Sequence, residues 1–115
     1  MQTHKIEEHF EGKEPIVQEI YSRLLIRLKE FGPVTESAKK TSIHLDHKTS
    51  FGGIHPRKNY INLVIRTNYE LANVRVSKSE QVSKNRFHHT IKLEKAEDID
   101  EELLGWLKDG YELSG

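Results

Sequence analysis

The chain predicts an α+β fold, an antiparallel sheet of four to five strands with an N-terminal and a C-terminal helix packed on one face. Three observations carry this. Apolar residues recur at helical spacing near both ends, at Ile16, Ile20, Tyr21, Leu24, Leu28 and Phe31 and again at Ile99, Leu103, Trp106, Leu107 and Tyr111. Between them the period drops to two, most clearly where Ile61, Leu63 and Ile65 alternate with Asn62, Val64 and Arg66. The strands run together between the helices instead of alternating with them, which indicates an antiparallel sheet.

Residues 1–13 form an N-terminal segment in which Ile6 and Phe10 stand four apart. It reads either as a helical turn that packs both side chains or as a flexible lead-in. Residues 14–113 form one α+β domain. Its first helix runs from Pro15, which suits a first helical position, to Phe31, where Gly32-Pro33 stops it. Leu25 and Ile26 lie off the main apolar stripe, and contact with the N-terminal segment is preferred over contact with a second subunit. Ile43 and Leu45 then alternate with Ser42, His44 and Asp46, and Asp46-His47-Lys48-Thr49 reads as a turn. A second strand passes through Phe51 and Ile54, and Pro56 presets a turn over His55-Pro56-Arg57-Lys58.

After the third strand, Val74-Arg75-Val76 reads as a short edge strand and polar Ser77 to Asn85 as a mobile loop. A strand follows from Arg86 to Glu94, with Phe87, His89, Ile91 and Leu93 on one face; His89 is expected to be hydrogen-bonded in the core or at its rim. The closing helix spans Ile99 to Tyr111, opened by Asp98 with Glu101 and fraying at Gly110. The helices cover a face carrying Ile43, Leu45, Phe51, Ile61, Leu63, Ile65, Ile91 and Leu93. The open face carries Ser42, His44, Asp46, Gly52, Ile54, Tyr60, Asn62, Val64, Arg66, His88, Thr90 and Lys92.

At 115 residues the chain is the size of one domain, and without cysteine it has neither disulfides nor thiolate chemistry. Eighteen basic residues balance eighteen acidic ones, so no broad field draws nucleic acid or an anionic membrane. Met1 leads into charged residues and not into an apolar stretch, and no apolar run exceeds three residues, as at Leu24-Leu25-Ile26. The expectation is a cytoplasmic protein with no membrane partner.

The best candidate site is Phe51-Gly52-Gly53-Ile54 beside the basic corner His55-Pro56-Arg57-Lys58. Paired glycines within a strand let a ligand or a second backbone come close. The leading expectation is a non-enzymatic binding or accessory module for a small anionic ligand. Lys40, His55, Arg57, Lys58 and Arg66 supply charge, Gly52 and Gly53 the close approach, and Tyr60 an apolar wall; Lys39, Arg86, His88 and Lys92 complete a wider basic set. The alternative is a protein–protein module, a homodimer through the open face or a sheet edge, suggested by Ile54 and Val64.

Nucleic-acid binding ranks lower, because charge neutrality opposes it despite Tyr60 and Tyr69. Ser42, His44 and Asp46 share a face but stand ~7 Å apart along one strand, too far for a catalytic triad. An enzyme using His44 or His88 with Asp46 ranks last. His88 and His89 face opposite ways, no metal-binding spacing is present, and no cofactor is expected.

Five patterns taken together resemble one bacterial family: His9-Phe10-Glu11-Gly12-Lys13, Leu28 through Phe31-Gly32-Pro33-Val34, Lys39-Lys40-Thr41-Ser42-Ile43, Phe51 through Lys58, and Ile99-Asp100-Glu101-Glu102-Leu103. It is the domain of unknown function numbered fifty-six fifty-five, whose members are sometimes labelled "predicted transport protein". The resemblance spans about His9 to Tyr111. It implies a small α+β domain, found alone or attached to nuclease-like domains, and brings no catalytic residues with it. Nothing in the chain that could span a membrane supports the transport label.

Overall fold

The computed structural model describes residues 5–114. Helices α1 (Pro15–Lys29) and α2 (Glu101–Leu113) cover one face of a six-stranded antiparallel sheet. The strands are β1 (Thr35–Ala38), β2 (Ile43–Asp46), β3 (Ser50–Pro56), β4 (Ile61–Thr67), β5 (Val76–Ser83) and β6 (Arg86–Leu93). Their spatial order is β1-β2-β3-β4-β6-β5. Short 3-10 turns at Ile6–Phe10 and Ala96–Asp98 precede the two helices.

The expected apolar face is the core. Ile43, Leu45, Phe51, Ile61, Leu63, Ile65, Ile91 and Leu93 are all buried under Val17, Ile20, Leu24 and Leu28 of α1 and Leu103 and Leu107 of α2. Ile6 and Phe10 pack against this cluster, with the Phe10 ring 5.3 Å from that of Tyr21, so the helical-turn reading describes residues 6–10. Residues 1–4 of the N-terminal segment lie outside the described residues. Leu25 is partly buried against the core, whereas Ile26 is 64% exposed.

β1 stands where the sequence pattern predicts no strand, and of the expected edge strand Val74-Arg75-Val76 only Val76 belongs to β5. Neither has an apolar face to bury, since each lies at an edge of the sheet where one flank meets water. Ser77 to Ser83 is therefore strand and not loop: it pairs with β6 through a hairpin turning at Lys84 and Asn85. α2 begins later than expected. Asp100 is its cap, accepting from the Leu103 amide, while Asp98 Oδ2 accepts from the amides of Glu94 and Lys95 and closes the preceding turn.

The most consequential difference is a bulge. Leu45 pairs with Gly52 but Asp46 with Ser50, so Phe51 is an extra residue in β3. Strict alternation would send Phe51 and Gly52 to opposite faces. The bulge lets Phe51 enter the core, and Gly52 and Ile54 follow their partners Leu45 and Ile43 to the same side. Ile54 is fully buried there, so it is no part of the open face. Pro56 ends β3, and the Arg57 amide donates to the Tyr60 carbonyl, so the turn covers Arg57 to Tyr60 instead of starting at His55.

His89 is the buried polar hub that its position predicts. Its Nε2 lies 3.1 Å from the Tyr69 carbonyl and 2.9 Å from Thr67 Oγ1, and its Nδ1 lies 2.9 Å from Ser79 Oγ. The carbonyl can only accept, so Nε2 carries a proton and donates to it, while the Ser79 hydroxyl partners Nδ1. Both ring nitrogens of this buried imidazole therefore have partners.

Candidate anion-binding site on the open sheet face

The sheet face away from the helices is built from three rows of cross-strand neighbours. One runs Ser37, His44, Gly53, Val64, Thr90 and Lys78. A second, toward the β2–β3 turn, holds Asp46, Arg66, His88 and Glu80, and a third, at the opposite end, holds His55, Asn62 and Lys92. Gly53 is buried between its neighbours even though it lies on this face. A β-carbon there would meet His55 Nε2 at 3.8 Å and Val64 Cβ at 3.9 Å, ordinary contacts that an alanine tolerates.

The second row carries the chemistry. Arg66, Arg86 and His88, with Thr49, Ser50 and Val82, line a shallow depression of about 310 Å³. Register explains the convergence: Arg66 of β4 is paired with His88 of β6, and Arg86 lies two residues from His88 on the same side. Arg66 is half-buried, its Nη1 donates to the Ser50 carbonyl at 3.4 Å, and its buried Nε has no partner. Among the described residues neither Arg66 nor Arg86 takes part in an ion pair. Burial lowers the Arg66 guanidinium pKa first; nearby Asp46 opposes this and Arg86 adds to it. Asp46 itself accepts from Ser37 Oγ at 2.8 Å. An anion seated here would meet two guanidinium groups, an imidazole and the Ser50 and Thr49 hydroxyls.

His44, His55 and His88 all have lowered pKa values, with burial the leading cause in each. Arg66 adds to the effect at His44 and His88, and Arg57 at His55; Asp46 and Glu80 oppose it at His44 and His88 respectively. The folded protein therefore binds fewer protons than the unfolded chain just below the unperturbed histidine pKa of ~6.5. Stability contributed by these neutral imidazoles is present above that value and is lost as pH falls through it toward the lowered folded values. Urea unfolding at steps from about pH 7.5 to about pH 5.5 is expected to show declining stability. Replacing all three with glutamine, which cannot titrate, should flatten that decline; an unchanged slope would exclude these histidines as its source.

The residues singled out from the sequence divide. Arg66, His55 and Gly53 share the open face, Arg66 in the depression and His55 in the row at the far end. Lys40, Arg57 and Lys58 are exposed in the loops at that far end, away from Arg66. The Tyr60 ring is covered by Lys92 Nζ at 4.4 Å from its centroid. Gly52 turns to the core, where a β-carbon would stand 3.2 Å from the Val64 carbonyl and 4.0 Å from Leu107. Arg86 and His88 belonged to the wider basic set, and only strand register shows that they converge on Arg66. His44 and His88 are separated by β3 and β4, so they cannot share a metal ion. Among the described residues no three His, Asp or Glu side chains form a metal-binding group, and no helix is long and apolar enough to cross a membrane.

No curated protein and no solved structure matches this chain. A family model does, over residues 6–114, nearly the whole sequence. With that coverage the chain belongs to the family described as "Domain of unknown function (DUF5655)".

Proposed function

We propose that this domain is a non-enzymatic binding module that accommodates an anionic group on its open sheet face, between Arg66, Arg86 and His88. The observation that carries the reading is the convergence of two arginines from different strands without a carboxylate ion-paired to either, one with a buried and unpartnered Nε. A desolvated guanidinium presents its fork with little reorganisation, and a bound oxyanion relieves the penalty of leaving its donor unmade. Burial and the nearby Arg66 lower the His88 pKa in the free protein, and an anion seated beside the ring opposes that shift, so binding strengthens as pH falls.

Thermal unfolding against inorganic phosphate, pyrophosphate, small dicarboxylates and short oligonucleotides tests this. A ligand at a hundredfold excess over its dissociation constant adds about 2.7 kcal/mol of stability. Arg86 is exposed and is therefore the clean variant. Arg86→Ala is expected to weaken binding roughly tenfold to a hundredfold, the equivalent of ~1.5–3 kcal/mol for a charged hydrogen bond. The melting temperature of the unliganded variant should stay near that of the unsubstituted protein. Arg57→Ala with Lys58→Ala should leave the ligand shift intact. The reverse pattern transfers the site to the turn at the far end of the sheet, and a panel without any shift refutes anion binding altogether.

A further inference from the structure

We infer that β5 is a self-complementary edge through which two copies of this chain pair antiparallel, extending the sheet across a two-fold axis at Ser79. This stands independently of the anion reading.

The edge is open. All of Ser77 to Ser83 is exposed, while α2 packs over β3 and β4 and α1 reaches β4, so neither helix shields this flank. An uncovered strand of eight residues presents a row of unpaired amides and carbonyls. Two irregularities, at Ser77 and Val82, bracket a regular stretch from Lys78 to Gln81.

The sequence of that stretch selects one register. Centred on Ser79, an antiparallel pair sets Lys78 of each copy opposite Glu80 of the other. Lys78 and Glu80 lie on the open face, opposite Thr90 and His88 of β6, so both ion pairs form on one continuous surface. Among the described residues neither side chain has an intrachain ion pair. Moving the centre by one residue either way dissolves the charge pairs. Centring on Lys78 or Glu80 sets like charges face to face, which destabilises a sheet.

Among the described residues, Val74 and Val82, two of the three large exposed hydrophobic side chains, flank this edge. Lysine on an edge ordinarily deters pairing; here Glu80 answers it in one register and repulsion disfavours the neighbouring ones.

Sedimentation of the full chain from about 10 µM to about 1 mM, the range where small interfaces associate, should show a concentration-dependent dimer. Lys78→Glu alone and Glu80→Lys alone each place like charges across the axis and should weaken it at least about tenfold, with circular dichroism confirming the fold. Mixing the two single variants should restore association as a heterodimer, because every cross-strand pair is then opposite in sign. A monomer at all concentrations overturns the inference. So does a dimer indifferent to either substitution, or two weakened variants that fail to associate when mixed.

Discussion

Gly110→Ala is expected to destabilise the domain by roughly 2 kcal/mol, while Gly105→Ala, five residues earlier in the same helix, stabilises it. Both glycines lie inside α2, so helix propensity predicts the same gain at each, up to about 1 kcal/mol. Surroundings separate them. A β-carbon at Gly105 meets nothing within 4 Å, whereas one at Gly110 would stand 2.5 Å from the Arg66 carbonyl oxygen and 3.4 Å from that of Phe51. Both obstacles are backbone in the middle of the sheet and cannot rotate away. The helix must lift from β3 and β4, loosening the packing of Leu107 and Tyr111, and overpacking of this kind costs ~1–3 kcal/mol and sometimes more. In a domain of this size each kcal/mol moves the melting temperature by about 3–6 °C. Gly110→Ala should thus lower it by roughly 10 °C and Gly105→Ala raise it by a few degrees. Equal upward shifts would mean that α2 does not approach the sheet this closely. Gly110 also bears on the proposed site, because it packs on the backbone of Arg66, whose side chain emerges on the other face. The substitution should blunt the anion-induced shift along with stability.

That contact also shows where sequence reasoning reaches its limit. Gly110 near the end of an apolar stripe reads as a fraying terminus, since glycine is the commonest helix stop. Nothing local distinguishes a stop from a close approach; the difference lies in a strand forty residues away. The apolar stripes of both helices and the alternation in β4 and β6 were legible because burial imposes periods of 3.6 and two on any sequence that satisfies it. β5 was not, because an edge strand such as Val76–Ser83 buries almost nothing and carries no period. The candidate site was half legible. Its residue types were visible, but Arg66, Arg86 and His88 meet only through the pairing of β4 with β6, whereas the basic turn next to the paired glycines drew attention through sequence adjacency alone.

Phe51→Ala should produce the largest loss, roughly 3–5 kcal/mol, and it tests the bulge itself. Phe51 is fully buried and meets Tyr111 edge-on with ring centroids 5.3 Å apart; Tyr111 also stacks on His47 at 4.2 Å and tilts against Phe31 at 5.7 Å. Its hydroxyl donates to the Pro33 carbonyl at 3.0 Å, so the same ring ties α2 to the chain leaving α1. Truncating Phe51 removes its transfer energy, leaves a cavity beneath Tyr111 and frees the aromatic cluster to shift. Against the 5–15 kcal/mol typical of a whole domain, such a loss can consume half of the stability. Urea denaturation should show a much lower midpoint with an unchanged slope, since the surface exposed on unfolding hardly changes. The contrast with Val64, half-buried on the open face, isolates the register: Val64→Ala should cost less than about 1.5 kcal/mol. Were β3 regular, Phe51 and Gly52 would face opposite ways, and with Gly52 held over Leu45 the Phe51 ring would lie on the open face. Its removal would then cost no more than that of Val64. A loss several times larger places the extra residue of β3 where the core needs it, and the same bulge turns Ser50 toward Arg66 at the edge of the depression.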